Sequence, residues 1–355
     1  MVASPEFDSF KDKISRKDPI YPFTRIDPPQ ETPKVVEKPV QDPLQDPTQE
    51  PAKTPSTAPR NYVSEKHFAE YRLPVVRKIE NLDYCRRVDR RLKSVSFRNC
   101  LTSELYKSGF RSTRGTPIYF SHYEPAKDEI PLGRILVMGG VHGDELTSVS
   151  SVFLWMEKLK RFHSGLFEWR AVPLVNPDGF FQKDPQRTNA NGIDLNRNLP
   201  TANWNDLANS YWKRYAKSTA RKYPGLIAAS EPETKWLLSE IKEFQPDVII
   251  TVHAPYNLVD FDAQDRSEAP RQLGILKGKS LGTFPGSLGR YAGEERNIPV
   301  LTLELPHSSR MPAIADIEQI WEDLVAWLRD NVNPHRLAGR DLAHCAEDYL
   351  DTGCI

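Results

Sequence analysis

Arg134-Ile-Leu-Val-Met-Gly-Gly140-Val-His142-Gly-Asp-Glu145 joins a strand pattern to the start of a helix pattern. Its first half is a continuous apolar run with no polar alternation, which reads as a strand buried on both faces. The glycine pair stops that run. Residues 145–162 then place Leu146, Val149, Phe153, Met156 and Leu159 at helical spacing, so a strand passes into a helix across a junction that carries His142 and Glu145.

The same alternation recurs outward from this junction. Arg170-Ala-Val-Pro-Leu-Val175 reads as a second strand, closed by the turn Asn176-Pro-Asp-Gly179. Ser230-Glu-Pro-Glu233 has the form of a capping box opening a helix through Trp236, Leu237, Ile241 and Phe244. Asp247-Val-Ile-Ile-Thr-Val252 and Val300-Leu-Thr-Leu303 are further strands, and residues 314–332 form a closing amphipathic helix. Strands alternating with helices predict an α/β fold with a single mixed, mostly parallel sheet flanked by helices. In such sheets the working residues gather where strands end.

Composition divides the chain. Twelve of its 30 prolines precede Arg60, in a polar context that buries too little apolar surface to offset chain entropy. Residues 1–60 are therefore read as a disordered Pro-rich linker, 61–107 as a helical extension, 108–333 as the catalytic domain and 334–355 as a tail. The 48 basic and 48 acidic residues cancel, so no electrostatic footprint for nucleic acid is present. The basic cluster Arg86-Arg87-Val-Asp-Arg90-Arg91-Leu-Lys93 reads as a solvated helix face rather than a binding patch. No segment reads as an integral membrane span, and the oligomeric state is left open. Four cysteines, Cys85, Cys100, Cys345 and Cys354, lack zinc-ribbon spacing. Two disulfides would suit an oxidising compartment and four thiols the cytosol. The Pro-rich tether tilts the expectation towards the periplasm or cell envelope.

Several strand ends carry residues that bind metals or move protons. His142 and Glu145 sit three apart at the strand-to-helix junction, His253 ends another strand and Glu304 ends the last. Two histidines and one carboxylate around an open fourth position make a catalytic zinc set, with Asp144 as an alternative to Glu145. Zinc lowers the pKa of a bound water, and Glu304 is the candidate that takes the proton and returns it to the leaving amine. Taken singly, each of these residues would read as structural. The segment Arg187-Thr-Asn-Ala-Asn-Gly-Ile-Asp-Leu-Asn196-Arg197-Asn198 adds the guanidinium of Arg197, suited to a carboxylate, with Asn196 beside it. Arg187 is placed to stabilise an oxyanion.

These motifs, Gly140 to Glu145, Asn176 to Gly179, residues 187–200, His253 and Thr302-Leu-Glu304, resemble in type and order the zinc carboxypeptidase family. The resemblance covers residues 108–332. It implies one zinc per chain on His142, Glu145 and His253, with Glu304 as general base and acid. It further implies Arg187 on the scissile carbonyl and Asn196 with Arg197 on the terminal carboxylate of the substrate. Residues 188–204, 230–234 and Pro285-Gly-Ser-Leu-Gly289 resemble the branch of the family that acts on murein peptides. That branch implies hydrolysis between γ-D-glutamate and meso-diaminopimelate. Two alternatives stay open: a deacylase of N-acyl amino acids such as succinylglutamate, and a non-catalytic module that binds peptidoglycan peptides. One family feature has no counterpart. The tyrosine many members carry ahead of the turn at Pro285 is missing from Lys279-Ser-Leu-Gly-Thr-Phe284, and Tyr291 comes later, so substrate capping is unassigned.

Overall fold

The computed structural model describes residues 81–126 and 130–332. The linker reading for residues 1–60, the start of the helical extension, the tail at 334–355 and the cysteines Cys345 and Cys354 lie outside the described residues.

The described residues open with helix α1 (Leu82–Arg91) and helix α2 (Phe97–Thr102), followed by strands β1 (Tyr106–Arg111), β2 (Pro117–Tyr123) and β3 (Gly133–Met138). Helix α3 (Leu146–Phe162) leads to β4 (Phe167–Val172), and α4 (Trp204–Arg214) and α5 (Pro232–Phe244) precede β5 (Val248–His253). Then come β6 (Leu258–Asp262), β7 (Gln272–Leu273), β8 (Leu276–Gly278), β9 (Val300–Glu304) and helix α6 (Ile314–Asn331). The nine strands form one mixed sheet in the order β1-β2-β4-β3-β5-β9-β6-β8-β7. Its centre, β4-β3-β5-β9, is parallel, and β1, β2 and β6 add antiparallel flanks.

The apolar run of β3 explains why the sheet is covered on both sides. Ile135 and Val137 enter one apolar cluster with Val149, Val152, Phe153 and Met156 of α3 and Ile320 and Leu324 of α6. Leu136 and Met138 enter a second cluster with Trp236, Leu237 and Ile241 of α5. Side chains alternate across a strand, so a strand apolar at every position must be roofed twice. Ile135, Leu136 and Val137 are each fully buried, which stabilises the fold by about 1.5–3 kcal/mol per side chain.

The glycine pair sets the junction. Gly140 has φ +59°, and a Cβ there would lie 2.6 Å from the Leu174 side chain and 2.8 Å from that of Val149. Only glycine accepts both the left-handed turn and that approach. Ser148 fastens the turn from inside α3: its hydroxyl accepts from the Gly140 N–H at 3.0 Å and donates to the Glu145 carbonyl at 2.6 Å.

Two local expectations differ from the structure. The second strand is Phe167–Val172 rather than 170–175. Pro173 has no N–H to continue the ladder. Leu174 and Val175 are buried beyond the strand, where Val175 N–H donates to the Gly139 carbonyl at 3.1 Å. The capping box does not form. Glu231 is the N-cap residue and no side chain caps α5. Ser230 Oγ donates to Glu231 instead, while buried Glu233 accepts from the Thr113 N–H and the Asn189 amide, both at 3.1 Å. Tertiary demand for those carboxylate oxygens outweighs local capping.

Helices α1 and α2 are stapled by a Cys85–Cys100 disulfide, and Tyr84, Cys85, Val88 and Cys100 join the same apolar cluster as α3. The basic cluster at residues 86–93 divides. Arg86, Arg90 and Lys93 are exposed, whereas Arg87 lies 3.9 Å over the Phe181 ring and Arg91 donates to the carbonyls of Gln182 and Lys183. No described helix is long and apolar enough to cross a membrane.

Candidate metal centre

Strands β3, β5 and β9 are parallel neighbours, so their carboxyl ends share one edge of the sheet. His253 of β5 lies directly opposite Glu304 of β9 in register, which sends both side chains to one face about 5 Å apart. The Gly140 turn carries His142 and Glu145 over the same edge.

There the sequence-predicted metal set converges. Ligand atoms of His142, Glu145 and His253 all lie within 4.8 Å of one another, on three buried residues. His142 Nδ1 is 2.8 Å from Glu145 Oε1, His253 Nδ1 is 2.9 Å from Glu145 Oε2, and the two Nδ1 atoms are 3.1 Å apart. The far nitrogen of each ring is held separately: His142 Nε2 by Asp194 Oδ1 at 3.2 Å and His253 Nε2 by Thr251 Oγ1 at 3.0 Å. Partners that hold the proton on Nε2 leave an Nδ1 lone pair for a cation. Two ring nitrogens and a carboxylate within 4.8 Å of one another, walled from solvent, therefore fit a divalent metal of zinc type. Asp144, the alternative to Glu145, is outside this set and pairs with Arg221 at 2.5 Å.

Charge around the set is ordered. Burial opposes ionisation of Glu145, but His142 and His253 overcome it and hold the carboxyl far below its usual range. Asp194 is likewise kept anionic against its burial by Arg187 and His142. For His142, burial and Arg187 disfavour the charged ring, and Glu145 with Asp194 favour it more strongly, so its pKa is raised. Glu304 behaves differently. Burial is the largest influence and raises its pKa, and its Oε2 is buried with no hydrogen-bond partner among the described residues. The Tyr256 backbone N–H hydrogen-bonds the same carboxyl. A buried carboxylate with an unfilled acceptor facing a metal set can receive a proton.

The arginines line the other side. Arg187 Nε donates to Asp194 Oδ2 at 2.9 Å, and a terminal nitrogen lies 3.1 Å from His142 Nδ1 and 3.4 Å from Glu145 Oε1. Arg197 is buried, donates to the Asn196 carbonyl at 2.6 Å, and lies 4.4 Å from the centre of the Phe284 ring. Burial lowers its pKa, although from a starting value at which it stays charged. Asn196 Oδ1 accepts from the Leu288 N–H at 2.8 Å. Arg187 thus meets the metal set directly, and Asn196 and Arg197 join it through Asp194. Tyr291 is buried under the Arg296 guanidinium, 3.6 Å from its ring centre.

A family model described as zinc carboxypeptidase matches residues 110–271. Murein peptide amidase A of Escherichia coli is 31% identical over 232 residues, covering 63% of this chain and 91% of that protein. The chain belongs to the zinc carboxypeptidase family. It is accordingly a zinc metallopeptidase. Murein peptide amidase A of Vibrio campbellii is also 31% identical, over 204 residues, covering 55% of this chain and 77% of that protein. The crystal structure of carboxypeptidase A from Helicoverpa armigera superposes with a TM-score of 0.52 at 17% identity, covering 71% of this chain and 73% of that one. That likeness supports the carboxypeptidase fold. The family match ends before Glu304, which is placed at the site by its register with His253 and by its unfilled oxygen.

Asp194 and Thr251 were not singled out by the sequence reading. Asp194 lies inside the quoted 187–198 segment as the residue that ties Arg187 to His142. Thr251 precedes His253 by two, which on a strand places it on the same face. That parity was the available signal.

Proposed function

We propose that this chain hydrolyses an amide bond in murein peptides, between γ-D-glutamate and meso-diaminopimelate, at a single zinc held by His142, Glu145 and His253. The observation that carries the reading is the facing pair His253 and Glu304: a metal-ligating nitrogen and a buried carboxylate with an unfilled oxygen, one strand apart. Zinc, when bound, makes a water nucleophilic near neutral pH and polarises the scissile carbonyl. Glu304 takes the water's proton on Oε2 and delivers it to the leaving amine. Its burial raises its affinity for that proton, as a base that must later act as an acid requires. Arg187, oriented by Asp194, supplies a fixed positive charge where the carbonyl oxygen becomes negative. Asn196 and Arg197 hold the terminal carboxylate of the substrate, Arg197 being steered by the Phe284 ring.

Murein peptides are favoured over acylated amino acids because the murein peptide amidases of Vibrio campbellii and Escherichia coli are each 31% identical to this chain over the aligned residues. The Cys85–Cys100 disulfide supports placement in an oxidising envelope compartment. The test is incubation of the full zinc-loaded chain with the murein tripeptide and, separately, with N-succinylglutamate. Release of diaminopimelate from the first is expected. Release of succinate from the second, with the tripeptide intact, would replace this reading with a deacylase.

A further inference from the structure

Between Leu207 and Ser230 the chain carries five cations, Lys213, Arg214, Lys217, Arg221 and Lys222, and no acidic residue at all. All five are exposed. In a chain whose charges cancel overall, this is a local concentration of one sign. The same stretch ends in two adjacent apolar side chains, Leu226 and Ile227, which are 80% and 66% exposed. Leu226 is the most exposed large apolar residue among those described. Tyr215 and Leu207 add two further exposed apolar groups from the same segment.

The tip is held firmly. Asn198 Nδ2 donates to the carbonyls of Pro224 and Ile227 at 2.9 and 3.1 Å, and the Ala229 N–H donates to the Asn198 carbonyl at 2.7 Å. The Trp212 indole donates to the Thr219 carbonyl at 2.8 Å, and its ring lies 4.9 Å from that of Tyr223. These bonds bind α4 and the following loop into one unit. With its backbone fixed, the tip exposes Leu226 and Ile227 by construction, and the cost of ordering them is met before any partner arrives.

We propose that this segment docks the protein on an anionic lipid surface, with Leu226 and Ile227 entering between headgroups and the cations lying against them. Charge complementarity selects an anionic partner. The apolar pair selects a bilayer among anionic partners, since a soluble polyanion rewards the cations and gives nothing for leucine or isoleucine. Two side chains are also too small a patch for a stable protein interface, which covers about 800 Å² on each partner, whereas shallow insertion of a few apolar groups beside basic ones is how proteins rest on membranes. The same unit walls the metal centre. Tyr223 O accepts from the Asp194 N–H, Arg221 pairs with Asp144, and Tyr211 lies 5.5 Å from Phe284, the ring over Arg197. Docking through the tip therefore holds the mouth of the site beside the lipid surface.

The test is co-sedimentation of the full chain with phosphatidylcholine vesicles that contain or lack phosphatidylglycerol. Binding is expected only with phosphatidylglycerol, and it should weaken as salt rises. Lys213→Gln with Lys217→Gln should lower the partition coefficient about 25-fold, about five-fold for each cation removed. Leu226→Asp with Ile227→Asp should abolish binding, and Leu226→Ser with Ile227→Ser should reduce it, while hydrolysis of soluble substrate is unchanged. Failure of the full chain to sediment would overturn the proposal, as would a tip occupied by another part of this chain, which gives the same result. Binding that survives both tip variants, through another segment or through charge alone, would overturn it equally.

Discussion

Replacing Asp194 by asparagine changes no shape and removes one charge, and the structure says where the cost falls. Asp194 is fully buried, with Oδ1 shared by His142 Nε2 at 3.2 Å and the Asn196 N–H at 3.0 Å, and Oδ2 taken by Arg187 Nε at 2.9 Å. An amide offers one oxygen and one NH2. With the oxygen kept towards His142 and Asn196, the NH2 opposes the Arg187 N–H, donor against donor. The flipped amide opposes two donors, so the first orientation prevails. Arg187 then loses a hydrogen bond between charged groups, about 1.5–3 kcal/mol, and swings from the position in which it can meet an oxyanion. His142 keeps an acceptor on Nε2 but a neutral one, which makes its Nδ1 a poorer ligand. Loss of such a partner weakens metal binding by about 10–100-fold. Chelator competition on the full Asp194→Asn chain reads this as a raised zinc dissociation constant, and a fall in kcat/KM should exceed what restored zinc loading recovers. A zinc dissociation constant within about two-fold of the native chain would refute the reasoning.

Thr251→Val removes the hydroxyl that holds His253 Nε2 and should weaken zinc by about ten-fold or more, with Thr251→Ser restoring the native value; chelator competition again decides it. Burial and the neighbouring Asp260 push the Asp262 carboxyl up to about 7 from its ordinary 3.8. Between those values the unfolded chain is ionised while the folded one keeps its proton, so stability falls as pH rises from about 4 to about 7. Asp262→Asn, which keeps an oxygen for Arg266, should flatten that fall, worth up to about 4 kcal/mol; urea titrations at pH 5 and pH 8 with equal differences between variant and native would contradict it. Opening the Cys85–Cys100 bridge by a double serine substitution frees a loop spanning a sequence separation of 15 and should cost about 3 kcal/mol, visible as a lower thermal midpoint that reductant reproduces in the native chain.

The centre of the fold is legible in the sequence because a strand buried on both faces has no polar alternation, as in residues 134–138 and 247–252. The flanks are harder. Strand β1, Tyr-Lys-Ser-Gly-Phe-Arg, is half solvated at the sheet edge and shows no apolar period. Strand β6 places Asp260 and Asp262 in the interior, where composition argues against a strand. The capping box failed for a related reason: Glu233 answers to Thr113 and Asn189, partners far away in sequence. At the site, His142, Glu145, His253 and Glu304 were legible as candidates because the first two sit at a strand-to-helix junction and the last two end strands. Asp194 could not, since its importance lies in joining Arg187 to His142 across a loop that only the folded chain closes.

In the proposed reaction Glu304 moves the proton beside a metal held by His142, Glu145 and His253. Turnover of the murein tripeptide by Glu304→Gln at matched zinc content tests it most directly. Zinc bound as in the native chain and a rate lower by about 10²–10⁴-fold are expected. Undiminished turnover with zinc in place would contradict it.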